Sequence, residues 1–190
     1  MHRTLGLMNR MTMDDTDLRF PVGKFKLPES VTVAERTTFV EQIAATPANL
    51  RAAVSGLGDS ELETPYRPGG WTVRQVIHHV PDSHMNSYTR FRLALTEDEP
   101  TIKTYREDQW AELEDARTLP VDVSLQLLEN LHTRWVTLLR SLSDEQWKRK
   151  FRHADLGSMN LEQTAALYAW HGRHHAAHIT SLRERRGWKH

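Results

Sequence analysis

From Val121 to Leu142, apolar residues stand at Val121, Leu125, Leu128, Leu131, Trp135, Leu138 and Leu142. Steps of three and four place them along one face of a long helix. A helix with a single apolar stripe cannot bury that stripe alone, so it must pack against partners of the same kind. The chain supplies three. The first is predicted to start at Thr32, where Glu35 completes a capping-box pattern, and carries Phe39, Val40, Ile43, Leu50 and Val54. Pro47 is expected to kink or interrupt it, and Gly56 and Gly58 to stop it. The second opens at Trp71-Thr72 with Thr72 as N-cap, and its stripe runs Val73, Val76, Ile77, Val80, Tyr88, Phe91 and Leu95. Pro81 lies inside it, where a local kink is expected. The last is capped near Asn160 and runs through Leu161, Tyr168 and Ile179 to about Arg185, with Gly187 as its stop.

Residues 96–119 read as a polar connection with a short helix over Asp108–Glu114, and no segment alternates convincingly as a strand. Residues 18–31 hold two prolines and a glycine and read as an extended arm, anchored by Phe20, Val22 and Phe25. Residues 1–17 read as a disordered or tag-like leader, and 18–190 as one domain. The segment Gly56–Leu62 echoes Ser141–Trp147, which suggests two helical hairpins of similar plan. The fold class that follows is all-α: an antiparallel four-helix bundle with an extended N-terminal arm.

Composition narrows the function. With 25 basic and 25 acidic residues the formal charge is zero, which argues against a nucleic-acid partner bound through bulk charge. No apolar run approaches the roughly 20 residues of a membrane span, and the N-terminus has no apolar signal core, so a cytoplasmic protein is expected. The 190 residues include no cysteine, so any metal must be held by His, Asp or Glu.

Eleven histidines are the compositional anomaly, and most fall in two clusters. The second predicted helix holds His78, His79 and His84 around Asp82; the last holds His171, His174, His175 and His178. His171 and His175 are four apart on the stripe, so their imidazoles share one helix face, a spacing suited to gripping one cation. His174 and His178 share the spacing, but His174 points to the edge of the stripe. Gly172 beside the pair lets another backbone come close. Buried imidazoles are costly without partners, and a metal engages several nitrogens at once. The third ligand must come from His78, His79, His84 or Asp82, and periodicity does not choose among them. Three histidines without a fourth protein ligand leave coordination positions open, as in catalytic zinc sites. A cation held by neutral imidazoles keeps its charge and lowers the pKa of bound water or thiol.

The sequence resembles the DinB-like metal-binding four-helix bundles, and among them the YfiT-like branch described as metal-dependent hydrolases. The resemblance lies in Phe20-Pro21-Val22-Gly23-Lys24-Phe25, Gly69-Gly70-Trp71-Thr72-Val73-Arg74-Gln75-Val76-Ile77-His78-His79-Val80, Asp82–Asn86, Arg90–Glu97 and Tyr168-Ala169-Trp170-His171-Gly172-Arg173-His174-His175. It implies metal ligands at His79, eight residues after Trp71, and at His171 and His175. It also implies one zinc ion per subunit, with nickel or another divalent metal as alternatives, and a homodimer.

The expected activity is hydrolysis of a small-molecule substrate, with the metal activating water. Asp82 and His178 are the candidate general bases. The last helix has Gly172 where His-Glu-x-x-His peptidases carry glutamate, which argues against peptide hydrolysis. The alternative that the resemblance raises is S-transfer, joining a low-molecular-weight thiol such as bacillithiol to an electrophile, with Arg74, Arg90, Arg92 or Arg173 holding the thiol's carboxylates. A non-enzymatic alternative is a metal-stabilised dimeric binding module. A di-iron carboxylate centre is excluded because the Glu-x-x-His pairs it needs are absent.

Overall fold

The computed structural model describes residues 18–188, so the reading of residues 1–17 lies outside the described residues. Four long helices form the body: α1 (Val33–Val54), α3 (Val73–Thr96), α6 (Val121–Ser141) and α8 (Leu161–Arg186). Short helices join them: α2 (Asp59–Leu62), α4 (Glu107–Trp110), α5 (Glu114–Thr118) and α7 (Asp144–Trp147).

Three of the long helices open with a reciprocal capping box, which pairs two otherwise orphaned backbone N–H groups at each start. The pairs are Thr32 with Glu35, Thr72 with Gln75, and Asn160 with Gln163. Gly187 ends α8 in the left-handed conformation, at φ 66°. The short helices α2 and α7 each follow a long helix, as the sequence echo implied. The central connection holds two short helices where one was expected over Asp108–Glu114. Pro47 does not interrupt α1, and α3 likewise runs on through Pro81. Buried residues on both sides of each proline, Ile43 and Leu50 in one case and Val80 and His84 in the other, hold the helix to the core.

The two-hairpin plan is overturned. α1 packs against α6 and α8, and α3 packs against the same two, so α1 and α3 stand across the bundle from each other. Contacts fix the directions. Arg36 bonds Glu162 and Arg183 bonds the Ala53 carbonyl, so α1 and α8 run parallel. His78 meets Ser124 and His84 meets His132, so α3 and α6 also run parallel. The antiparallel neighbours are α1 with α6 and α3 with α8, as the Arg51–Asp122 and Arg140–Glu41 pairs show for the first.

A two-stranded antiparallel hairpin, β1 (Lys150–His153) and β2 (Gly157–Asn160), fills what read as loop. Each strand turns one apolar residue inward, Phe151 and Met159, which face each other in register and are fully buried. One apolar residue per strand is too little alternation to read from sequence.

The core is two apolar clusters. One gathers Val40, Ile43, Phe91, Trp135, Leu139, Phe151, Leu161 and Tyr168. The other gathers Leu50, Val73, Ile77, Val80, Leu125, Leu128, Ile179 and Leu182. Between the two clusters each long helix carries a polar residue at the same level: Thr46 on α1, His84 on α3, His132 on α6, and His171 and His175 on α8. The histidines therefore form a slice across the bundle.

The arm runs over the outside of α8. The Trp170 indole N–H donates to the Gly23 carbonyl at 3.0 Å, and the Gln163 amide donates to the Pro28 carbonyl at 3.1 Å. Phe20 packs on His174 and Phe25 on Trp170, but Val22, 41% exposed, is no anchor. Among the described residues, no helix is long and apolar enough to cross a membrane.

Candidate metal centre

His79, on α3, meets His171 and His175, on the antiparallel α8. The ligand atoms of the three imidazoles lie within 4.8 Å of one another. Ring centroids are 5.3 Å apart for His79–His171, 4.9 Å for His79–His175 and 4.4 Å for His171–His175. The His171–His175 proximity follows from their i, i+4 spacing. The third side chain depends on the antiparallel register of α3 and α8, which the Tyr168 hydroxyl helps to hold by donating to the Ser83 carbonyl at 3.2 Å.

The donors fit a divalent cation. His79 Nε2 and His171 Nε2 stand 3.3 Å apart. Two nitrogens bound to one tetrahedral zinc at about 2.0–2.1 Å would be separated by about 3.3 Å. Burial holds the His79 imidazole down at about 4, with His178 adding to the effect. His171 and His175 are held well below the usual histidine range, first by burial and then by their imidazole neighbours. All three are therefore neutral near pH 7, with lone pairs available to a metal.

Around the triad, the Trp71 ring lies 4.7 Å from His79 and the Tyr168 ring 5.5 Å from His171. His171, Trp71 and Asp82 are partly exposed while His79 and His175 are buried.

The other sequence candidates have different surroundings. Asp82 follows His79 by three residues and so lies on the same side of α3, one turn along. Burial raises its carboxyl to about 6, with the charge of Asp115 contributing. His178 does not join the triad. Its Nε2 donates to the Arg19 carbonyl at 3.2 Å and its ring lies on Tyr66 at 3.9 Å, so it ties down the arm. His78 braces α3 against the start of α6: Nε2 donates to the Leu119 carbonyl at 3.1 Å, and Nδ1 meets the Ser124 hydroxyl at 2.7 Å. His174 stacks on Trp170 at 4.3 Å. Sequence reading passed over the contact of His84 with His171 and the role of His132. The available signal was that His132 stands four residues after Leu128 and three before Trp135, on the face those two share.

The sequence model of the DinB superfamily matches residues 42–179. This chain belongs to the DinB superfamily. Within the superfamily it is similar to YfiT from Bacillus subtilis, described as a probable metal-dependent hydrolase with an unusual four-helix bundle topology. The two share 49% identity at a TM-score of 0.89, over 91% of this chain and 99% of that one. A Bacillus cereus AH820 protein named "Putative metal-dependent hydrolase" is 56% identical over 172 residues, 90% of this chain and 99% of its own. A Bacillus thuringiensis relative of the same name is 55% identical over the same length.

Proposed function

We propose that this protein is a metal-dependent hydrolase of the DinB superfamily. In this reading His79, His171 and His175 hold one divalent cation per subunit, zinc in the first instance and nickel as the alternative. The observation that carries the proposal is the 3.3 Å approach of two Nε2 atoms from antiparallel helices, with the His175 ring beside both. The names of the Bacillus relatives support the same activity.

When bound, the cation supplies undiminished positive charge next to a water or substrate oxygen, because neutral imidazoles contribute none. The protein supplies the rest. Three imidazoles leave room for a visiting ligand, and Trp71 and Tyr168 wall the centre. Asp82, titrating at about 6, exchanges a proton close to neutral pH, which suits a general base or acid.

The S-transferase alternative needs cationic side chains to hold a thiol cofactor's carboxylates. Arg74 is committed to Glu63 at 2.5 Å, Asp59 at 3.2 Å and the Leu119 carbonyl at 2.9 Å. Arg92 bonds Tyr88, and Arg173 bonds the Ala169 carbonyl. These bonds take Arg74 out of that role, while Arg90, Arg92 and Arg173 keep N–H groups for it, so the arginines do not decide between the two activities.

The test is metal analysis of the purified protein, followed by ester and amide hydrolysis with the zinc-loaded and chelator-treated forms. Zinc-dependent turnover supports the proposal. Stoichiometric zinc with consumption of a thiol and an electrophile, but no hydrolysis, would replace it with the transferase.

A further inference from the structure

His171 directs Nε2 toward His79, and its other nitrogen begins a chain that leads away from the triad. Nδ1 of His171 is 3.0 Å from Nε2 of His84. Nδ1 of His84 is 2.8 Å from Nε2 of His132. Nδ1 of His132 is 2.7 Å from the carbonyl oxygen of Ile43. The chain thus crosses the bundle from α8 through α3 and α6 to α1. The planes of the His84 and His132 rings are inclined by 18° with centroids 4.9 Å apart, a separation that a direct N–H···N bond allows. Both residues are buried, His84 completely.

The carbonyl at the end gives this chain a direction. An amide oxygen only accepts, so His132 must carry its proton on Nδ1. A neutral imidazole has one N–H, which leaves His132 Nε2 as an acceptor. His84 must then donate from Nδ1 and accept at Nε2. His171 in turn must donate from Nδ1, which leaves the lone pair on Nε2, the atom that faces His79. Reversing the chain would set two lone pairs against each other at 2.7 Å at Ile43, in a place where water cannot compensate.

We propose that His84 and His132 are positioning residues that, anchored on the Ile43 carbonyl, lock His171 in its Nδ1–H tautomer and present Nε2 to a divalent cation. This rests on the assignment of His171 as a ligand. The relay accounts for two buried histidines in a slice where leucine would pack without any polar demand. It also distinguishes His171 from His175, whose Nδ1 is buried and makes no hydrogen bond. Holding the far nitrogen of a ligating imidazole fixes ring orientation and raises basicity, and losing such a partner typically weakens metal affinity 10–100-fold.

The experiment uses the full chain labelled with ¹⁵N-histidine. Long-range ¹H–¹⁵N correlation spectra of the metal-free protein assign each ring's tautomer, and zinc affinity is measured by chelator competition. The expected result is Nδ1–H for His171, His84 and His132, and a 10–100-fold loss of zinc affinity in His84→Phe. His84→Gln, whose carboxamide oxygen accepts from His171, should recover part of that loss. A predominant Nε2–H form at His132 or His171 in the metal-free protein would overturn the relay, and this readout needs no variant to fold. Unchanged zinc affinity in a folded His84→Phe would overturn it as well. A wild-type protein that binds no zinc, or a His171→Ala variant that keeps wild-type zinc affinity, would instead remove the ligand assignment beneath it.

Discussion

Gly172 of α8 lies directly against Thr46 of α1. A methyl group at Gly172 would come within 2.7 Å of Thr46 Cγ2 and closer still to its hydroxyl. The two parallel helices meet here at the level of the histidine slice, and Gly172 is followed three residues later by His175 and preceded by His171. In an open helix, Gly→Ala gains roughly 0.5–1 kcal/mol. Here overpacking, at roughly 1–3 kcal/mol, outweighs that gain. Gly172→Ala should therefore lower stability, read as a drop in denaturant midpoint. Adding Thr46→Ala removes both of the atoms that clash most, so the double variant should recover most of the loss. Equal midpoints for the wild type and Gly172→Ala would show that the helices part without cost.

The triad predicts a pattern across variants rather than one effect. His79→Ala, His171→Ala and His175→Ala should each leave the purified protein without stoichiometric zinc. His78→Ala, next door to His79, should keep its zinc. It should lose roughly 1–3 kcal/mol of stability, because it strips partners from the Ser124 hydroxyl and the Leu119 carbonyl. Metal analysis beside a urea titration separates the two outcomes. Zinc loss in His78→Ala at full stability would mean that the wrong one of two adjacent histidines had been assigned.

Much of this architecture is legible in the residues themselves. The capping pairs at Thr32 and Thr72 and the Gly187 stop mark helix ends to within a residue, because capping is local chemistry. The 171/175 pair is legible for the same reason. The choice of His79 over His78 came from the family resemblance, because both flank the apolar stripe and only the register of α3 against α8 separates them. The diagonal arrangement of α1 and α3 was not legible, since nothing in an apolar stripe says which neighbour covers it. Pro47 does not interrupt α1: its local cost is real, but the burial of Ile43 and Leu50 on either side holds the helix continuous. The Ile43 carbonyl that orients the histidine chain is a backbone atom and leaves no mark in sequence.

Stability of the metal-free protein should fall in acid, and the direction follows from linkage. Burial holds His79, His132 and His178 at about 4 and His174 at about 3, whereas the unfolded chain titrates near 6.5. Between those limits the unfolded state binds more protons, so stability is fully present above about pH 6.5 and is lost as pH falls toward 4. A shift of this size is worth about 3 kcal/mol per group at the acid end. Several such groups rival the roughly 5–15 kcal/mol that holds a domain together. Asp82 works in the opposite sense: with its folded value raised to about 6, it costs stability as pH rises from 3.8. One carboxyl does not offset four imidazoles. Urea midpoints from pH 8 to pH 4 should be flat above 7 and then decline steeply. A flat profile down to pH 4.5 would mean that these rings are solvated in the folded protein.

Asp82 ties the chemistry to a pH readout that a structural role would not move. If its carboxylate takes a proton during turnover, activity should rise with pH through a midpoint near 6, the value to which burial and Asp115 raise it. Asp115→Asn removes the second cause, so the limb should move to lower pH while zinc content stays the same. Asp82→Asn should abolish the limb and lower kcat by roughly 10²-fold or more, again with zinc retained. Zinc loss in Asp82→Asn would make Asp82 a ligand instead of a base. An unchanged acid limb in Asp82→Asn would pass the role to another group. His178 would be a poor substitute, since burial holds its imidazole down at about 4, which makes it a weak base near neutral pH.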